Sequence, residues 1–206
     1  MAKRLKIPPT KSALLHMRKQ VAFLVQGHRL LERKKDLLTR LVYERLGQYR
    51  KLRGEARAAL LGAYRWLSVT TLRMNTHDLR QVALGLSPAL TVEILPRRSL
   101  GVEYPSVTAD LRPMQPVGLM NTDPSLDETR ARLANAAVLL ARLGEAETAL
   151  WRLLEEQRKT QKRVNALKYN VIPRYRDTIR YIESALEEEE RSTLFQIKLL
   201  REKKSA

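Results

Sequence analysis

Apolar side chains recur every three or four residues through the first third of the chain, and the alternation of steps is unbroken. Only His28, Lys35 and Arg45 interrupt the apolar character of the series. A repeat of about 3.5 residues keeps one helix face against a partner when the two helices supercoil, so the pattern predicts one strand of a left-handed coiled coil over Lys11–Arg73. The seam positions are Leu14, Met17, Val21, Leu24, His28, Leu31, Lys35, Leu38, Val42, Arg45, Tyr49, Leu52, Ala56, Ala59, Ala63 and Trp66.

A second apolar series begins after Pro124. Two successive steps of four residues lie close to Pro173, where proline also removes one helical hydrogen bond, so we expect a local unwinding and a kink there. Because both series are long, the economical fold pairs them as one antiparallel helical hairpin. The second seam contains Leu133, Ala136, Leu140, Leu143, Glu147, Leu150, Leu154, Gln157, Gln161, Val164, Lys168 and Val171, followed by Tyr175, Ile179, Ile182 and Leu186.

Both series carry start signals of helices. Thr10 and Ser12 are candidate N-caps of the first helix, since their hydroxyl groups can accept a free backbone N–H. Ser125–Glu128 has the spacing of a capping box directly after Pro124, which predicts the start of the second helix.

The stretch between the two series contains six of the nine prolines. Leu90–Leu95 and Gly101–Thr108 alternate partly and are rich in β-branched residues, which predicts a short β-hairpin with its prolines at edge positions. Met74–Leu86 is compatible with a short helix, and Asp110–Asp123 has the composition of a loop. A disordered crossover loop is the alternative interpretation of this middle stretch.

The predicted fold class is therefore all-α. We expect a long antiparallel two-helix coiled-coil hairpin with a short β-hairpin and loop region in the middle of the chain. The corresponding segments are residues 1–74 for the first helix, 75–124 for the middle and 125–206 for the second helix, together forming one structural unit.

The net charge of +17 first suggests a nucleic-acid-binding protein. However, the charge is unevenly placed, because residues 1–74 contain 18 basic and 4 acidic side chains, a net charge of +14. No recognised nucleic-acid motif accompanies them and no aromatic side chains interleave as a stacking platform. A basic coiled-coil hairpin that binds nucleic acid, or one that acts as a scaffold or homodimer, remains the alternative.

The first helix contains four glycines outside its seam, at Gly27, Gly47, Gly54 and Gly62. Glycine is unfavourable in a helix by roughly 0.8–1 kcal/mol relative to alanine. Their presence suggests either local softness or close contact with something outside the helix pair, and a tolerated surface glycine is the simpler alternative at any one position.

Residue types and spacings argue against an enzyme. There is no cysteine, no glycine-rich phosphate loop and no pair of histidines at metal-ligand spacing. His28 in the seam is expected to be structural, and the acidic run Glu187–Glu190 is expected to be a solvated helix face. We therefore predict no catalytic residue, no cofactor and no metal.

No segment has the features of a leader or a membrane span. The basic N-terminus lacks an apolar core, and the longest apolar run, Ala136–Ala141, is far shorter than the roughly 20 residues that a span requires. We expect no direct insertion into a membrane.

Two groups of residues, one near each end of the chain, form distinctive motifs. The first consists of Arg163, Val164, Asn165, Ala166, Leu167, Ile172 and Pro173, with a later group at Leu186, Glu187, Glu190, Arg191, Phe195 and Lys198. The second consists of Pro9, Thr10, Lys11, Gly27, Leu30, Leu31, Lys34, Lys35, Asp36 and Leu38. Together these motifs resemble the D-subunit family of A/V-type rotary ATPases, and the resemblance covers both long helices and is weak in the middle.

The resemblance implies a non-catalytic central rotor shaft in a hetero-oligomer. The paired termini would enter the bore of a hexamer of catalytic A and non-catalytic B subunits, and the other end would face the rotor's F subunit and the adaptor of the membrane ring. The complex would couple ATP synthesis or hydrolysis to proton or sodium translocation at the cytoplasmic face of the cell membrane. Hexamer contacts are expected from Pro9, Thr10, Arg18, Lys19, Arg191, Phe195 and Lys198.

Overall fold

The computed structural model describes residues 5–117 and 122–205. Part of the predicted loop Asp110–Asp123 and the two chain ends therefore lie outside the described residues. The elements in chain order are α1 (Lys11–Arg73), α2 (Thr76–Leu84), β1 (Leu90–Ser99), β2 (Val102–Leu111), α3 (Pro124–Ala166), one π-helical turn (Leu167–Val171) and α4 (Ile172–Ser205). Long helices with a short antiparallel sheet between them confirm the predicted fold class.

The described residues divide into two compact units. The first contains the described part of residues 1–37 and 157–206, in which the start of α1 runs antiparallel to α4. The second contains residues 38–156, in which the rest of α1 runs antiparallel to α3 and the sheet packs beside them. The division into segments 1–74, 75–124 and 125–206 stays a prediction.

The seam predicted for α1 lies in the helix interfaces. None of its 16 positions is exposed, and Met17, Leu38, Ala56 and Ala63 are buried. The three polar members are half-buried as well. Since a helix can bury only one stripe against a single partner, the local 3-4 repeat determines which face of α1 is covered.

The seam of the second helix departs from prediction at several positions. Leu153 and Thr160 are buried at 1% exposure, whereas the predicted Leu154 and Gln161 are half-buried beside them. Four other predicted seam residues are exposed, namely Leu133, Leu140, Glu147 and Lys168. The contact face has therefore rotated relative to a continuous 3-4 repeat.

The predicted break near Pro173 takes the form of a π-helical turn. Ile172 donates its N–H to the Leu167 carbonyl, five residues back instead of four. Pro173 has no N–H with which to continue the ordinary ladder, so the wider turn precedes the proline. Because the turn contains one extra residue, the buried face of the helix shifts. Lys168 is exposed, and Ile172 is buried in the helix interface.

The start of α3 differs from the predicted capping box at Ser125–Glu128. The helix begins at Pro124, and Asp123, rather than Ser125, caps it by accepting the Ser125 N–H at 3.0 Å. Ser125, and then Arg73, lower the pKa of the Asp123 carboxyl through hydrogen bonding and, for Arg73, charge as well. Glu128 does not complete a capping box, because its carboxylate pairs with Arg132 at 2.6 Å.

The predicted β-hairpin is present and longer than predicted. Leu100 and Gly101 both have positive φ, at 51° and 78°, which matches a two-residue turn. Counting outward from Ser99 and Val102, the opposed pair Pro96 and Pro105 falls at a non-hydrogen-bonded position. Neither strand needs an N–H there, so both prolines fit inside the strands.

One face of the hairpin packs on the helices of its unit. Val102 and Tyr104 are buried, and Val102 joins Leu38 and Leu153 in the core of the second unit. Arg45 lies over the Tyr104 ring at 5.8 Å from the centroid. This packing explains why a polar residue, Arg45, occupies a seam position of α1, since its guanidinium is held over an aromatic face.

Candidate functional site

Two ion pairs set the level at which α1 and α4 meet in the first unit. Lys11 Nζ lies 2.9 Å from Glu190 Oε1, and Arg18 lies 2.6 Å from Glu183 Oε1. The hydrogen bond and charge of Glu190 raise the pKa of Lys11, and those of Lys11 lower the pKa of Glu190. The first residue of α1 is therefore level with Glu190 of α4.

The segment before α1 lies beside the same stretch of α4. Leu5 donates its N–H to the Thr178 hydroxyl at 3.2 Å, so this segment runs along α4 below Glu190. Thr10 caps α1 by accepting the Ala13 N–H at 3.2 Å, which confirms one of the two predicted caps. Pro9 and Thr10 line a pocket with Thr193 and Leu194, one turn beyond Glu190, so the start of α1 lies close to this level of α4.

Residues 191–205 of α4 therefore form an overhang, a helix end without a helical partner among the described residues. Every residue from 191 to 203 is exposed. Several large apolar side chains point into solvent, with Leu194 at 62%, Phe195 at 63% and Leu200 at 67% exposure. Such a concentration of exposed apolar groups at a helix end is typical of a surface that another protein covers.

The predicted hexamer contacts fall in two places relative to this overhang. Arg191, Phe195 and Lys198 lie on it and are exposed. Pro9 and Thr10 lie at its base, where they line an open pocket with Leu186 and Leu194. The structure thus brings these five residues to one end of the first unit.

Arg18 and Lys19 lie away from the overhang. Arg18 is engaged within the chain through its ion pair with Glu183, about two helical turns before Glu190. Lys19 is exposed next to it. Their contact with the hexamer stays a prediction.

The motif around Pro173 is partly structural and partly exposed. Val164 and Ile172 are buried in the helix interface, and Leu167 and Pro173 are half-buried. The remaining members, Arg163, Asn165 and Ala166, are exposed, and Asn165 accepts a hydrogen bond from Gln161 at 2.8 Å. The motif therefore contains both interface positions and groups available to a partner.

The outer face of the hairpin is a surface that sequence reasoning did not single out. Val92 and Ile94 are exposed at 42% and 66%, and they oppose Ala109 and Val107 across the sheet. The sequence does contain a sign of this exposed apolar face, because β1 has apolar residues on both of its faces instead of one.

The free edge of β2 is closed by α3. Glu145 accepts the Val107 N–H at 3.1 Å, and Arg152 donates to the Glu103 carbonyl at 2.7 Å. Glu145 and Arg152 are seven residues apart and so share one face of α3. These bonds satisfy two of the outward backbone groups of β2 and help to block strand addition at that edge.

Among residues 5–117 and 122–205, no group of three or more acidic, histidine or cysteine side chains is arranged to hold a metal ion. Likewise, no helix of the described ranges has both the length and the apolar content that a membrane crossing requires. The surfaces described above are suited to binding other proteins.

Comparison with known proteins agrees with these features. The V-type ATP synthase D subunit of Thermotoga neapolitana is 32% identical over 96% of this chain and 98% of its own length. The A-type ATP synthase D subunit of Pyrococcus furiosus is 30% identical over 98% of this chain and 96% of its own. The profile of the ATP synthase D-subunit family matches residues 13–202, and the chain therefore belongs to that family.

Proposed function

We propose that this chain is the central rotor shaft of a V/A-type ATP synthase or ATPase. As a member of its family it is a non-catalytic stalk subunit. In the proposed role it couples ATP synthesis or hydrolysis in the catalytic hexamer to proton or sodium translocation by the membrane ring. The observation that carries the proposal is the overhang of α4, whose exposed apolar and basic side chains are suited to a surrounding protein sleeve.

The mechanism follows from asymmetry in the overhang. A single helix end is not symmetric about its own axis, so different side chains face each catalytic interface of the hexamer. Each rotational step changes which interface the overhang contacts, and nucleotide affinity then shifts through differential contact with open and closed states. Nucleotide chemistry takes place on the partner subunits.

The remaining partners are proposed for the second unit. Its hairpin and helices would contact the rotor's F subunit and the adaptor of the membrane ring, as parts of one hetero-oligomer. The complex would lie at the cytoplasmic face of the cell membrane, with this chain neither inserted into the bilayer nor bound to nucleic acid.

Charge reversal on the overhang tests the proposal. In a reconstituted complex, we expect Arg191→Glu with Lys198→Glu to lower the number of ions pumped per ATP hydrolysed by about twofold or more, because the altered side chains disturb contact with the sleeve. Thermal unfolding of the chain should be nearly unchanged, since both side chains are exposed and the ion pair of Arg191 with Glu188 is long, at 3.9 Å.

A matched control separates position from charge. Arg158→Glu with Lys162→Glu makes the same change in net charge at exposed positions of the same unit, away from the overhang. The proposal would be contradicted if the overhang variant pumped as many ions per ATP as wild type. It would also be contradicted if this number fell equally in both variants.

A further inference from the structure

Tight packing between the helices of the first unit is interrupted over one stretch of each helix. No residue of α1 is fully buried over residues 18–37, although Met17 and Leu38 on either side are buried. In the opposite part of the chain no residue is fully buried over residues 165–171, although both flanking positions are buried. Each helix therefore contains a loosely packed segment between firmly packed ones.

The two loosely packed segments lie at the same level of the helix pair. The ion pair of Arg18 with Glu183, at 2.6 Å, sets the alignment of the two antiparallel helices. About ten residues further along α1, and about ten residues back along α4, His28 comes level with Pro173. The π-helical turn ends two residues before Pro173, so it lies beside the loosely packed segment of α1.

The seam of α1 is polar at this level. His28 and Lys35 are the two polar residues of the seam between Leu14 and Val42, and both are half-buried. The Nε2 atom of His28 is buried without a hydrogen-bond partner among the described residues, and its Nδ1 atom lies 3.8 Å from Glu32 Oε2. A buried polar atom without a hydrogen bond costs free energy, so α1 is held weakly here.

The opposite helix has a weakened backbone ladder at the same level. The Ile172 N–H is bonded to the Leu167 carbonyl, whereas in an α-helix it would be donated to the Lys168 carbonyl. Pro173 has no N–H, so it can donate neither to the Lys168 carbonyl in a continued π-turn nor to the Tyr169 carbonyl in an α-helix. Two successive carbonyls have therefore lost an ordinary helical donor.

Firm packing bounds the weak level on both sides. Towards the overhang, the side chains of Thr178 and Ile182 are fully buried, at 0% exposure. In the other direction, Thr160 and Val164 are buried at 1% and 3% exposure. Helices open locally where buried contacts and backbone hydrogen bonds are few, so opening at the weak level is confined between two levels that stay closed.

From these observations we propose that the first unit contains a twist joint, formed by the π-helical turn and by residues 24–35 of α1. At the joint the helix pair opens locally and reversibly, and α4 changes its twist relative to α1 while the packing on either side stays closed. Opening exposes little apolar surface because the seam is polar there, and it breaks few backbone bonds because the ladder is already interrupted. The joint is a property of the chain by itself, whether or not the chain turns in a rotary complex.

Hydrogen exchange of the full chain, followed by mass spectrometry, tests the inference. We expect the amides of residues 24–35 and 165–176 to exchange at least about tenfold faster than those of residues 38–49 and 177–186. All four segments lie in helical elements, so helix content alone predicts no such difference. Equal protection in all four would overturn the inference.

Filling the polar seam should close the joint. We expect His28→Leu with Lys35→Leu to slow exchange over residues 165–176 at least about tenfold, because leucine adds apolar contact between the helices. The matched control, Gln26→Leu with Arg33→Leu, also replaces one neutral polar and one basic side chain seven residues apart, but at exposed positions. It should alter exchange less than about twofold. No slowing in the seam variant, or equal slowing in both, would contradict the joint.

Restoring a backbone donor should act from the opposite helix. We expect Pro173→Ala to slow exchange over residues 165–176 at least about tenfold, because alanine supplies the missing N–H and removes the ring that disfavours an α-helix. Unchanged or faster exchange in this variant would show that the interrupted ladder is not what opens.

Spin labels measure the twist directly. The chain contains no cysteine, so introduced cysteines are labelled selectively. One pair, Arg29→Cys with Arg176→Cys, lies at the joint, and a control pair, Lys19→Cys with Arg180→Cys, lies towards the overhang, all at exposed positions. We expect the distance distribution at the joint to be at least about 1.5 times as wide as that of the control pair. Equal widths would overturn the inference.

Discussion

At the scale of single residues, a buried hydroxyl joins α1 to the start of α3. Thr70 Oγ1 lies 3.0 Å from the carbonyl oxygens of Trp66 and Ser125 and 2.8 Å from Thr129 Oγ1. Both threonines are at 2% exposure or less. A buried polar group costs free energy unless it is hydrogen-bonded, so this cluster is stable only while all its members are in place.

Replacing Thr70 with valine keeps the shape and removes the hydroxyl. We expect Thr70→Val to lower the free energy of unfolding by about 1–3 kcal/mol, because the Thr129 hydroxyl and the Ser125 carbonyl would be left buried without that partner. Denaturant unfolding followed by circular dichroism measures the loss.

The neighbouring residue supplies the control for that substitution. Thr71 is exposed, and its hydroxyl donates only to the Leu67 carbonyl of its own helix at 2.7 Å. Thr71→Val should stay within about 0.5 kcal/mol of wild type. Equal effects of the two substitutions would show that the buried cluster contributes nothing specific.

At the scale of the elements, the contact face of α3 is decided by its partner helix and by the hairpin. Leu153 is packed with Leu38 of α1 and Val102 of β2, and the predicted seam residue Leu154 lies beside that core. The hairpin adds a third surface that a two-helix repeat does not anticipate. A helix packed between two neighbours buries a wider stripe than one coiled-coil seam.

Replacing Leu153 or Leu154 with alanine shows which of the two adjacent leucines lies in the core of the second unit. We expect Leu153→Ala to destabilise the chain by about 2–5 kcal/mol, since it would leave a cavity in the core of the second unit. Leu154→Ala should cost less than about half as much, because part of that side chain is already in solvent. Thermal and denaturant unfolding of both variants provide the comparison, and a larger loss for Leu154→Ala would refute the observed packing.

The π-helical turn at Leu167–Val171 is also a property of an element. It separates α3 from α4 and ends two residues before Pro173, so the break lies close to its sequence signal. Tyr169 is exposed at this turn, with the Lys168 ammonium 5.3 Å from its ring centroid. A turn of this kind reorients the following helix face without ending the helix, and π-turns are frequent at functional sites.

At the scale of the whole molecule, basic side chains and exposed apolar groups occur together on the overhang of α4. Arg50, Arg53 and Arg57 line a groove of the second unit, whereas the overhang of the first unit carries exposed Leu194, Phe195 and Leu200 beside Arg191 and Lys198. The basic residues behind the net charge of +17 therefore lie on at least two different surfaces.

Removal of the overhang separates folding from assembly. A chain that ends at Glu190 should unfold within about 2 °C of the full chain, because the deleted residues up to position 203 are exposed. The same chain should fail to form a stable complex with the catalytic hexamer, measured by co-purification and by ATPase activity. Normal assembly, or loss of the fold on truncation, would show that the overhang has a different role.

Much of the architecture was predictable from local sequence. The bounds of α1, the face that it buries, the cap at Thr10 and the presence of a hairpin all follow from periodicity and turn chemistry, which act over a few residues. The family motifs at the two chain ends were equally readable. Of the predicted contact residues, Arg191, Phe195 and Lys198 share one surface because they lie on one stretch of a single helix.

The tertiary structure decided what local sequence could not. The cap at Asp123, the choice of Leu153 over Leu154 and the exposure of Lys168 all depend on neighbours that are distant in sequence. The overhang itself exists because Lys11 pairs with Glu190 and not with a residue nearer the end of α4. A heptad repeat fixes which face of a helix is buried. However, shifting one helix along the other by seven residues buries nearly the same face, so the repeat alone does not fix the alignment of the two helices. Only the specific pairing between the helices determines where each one ends relative to the other.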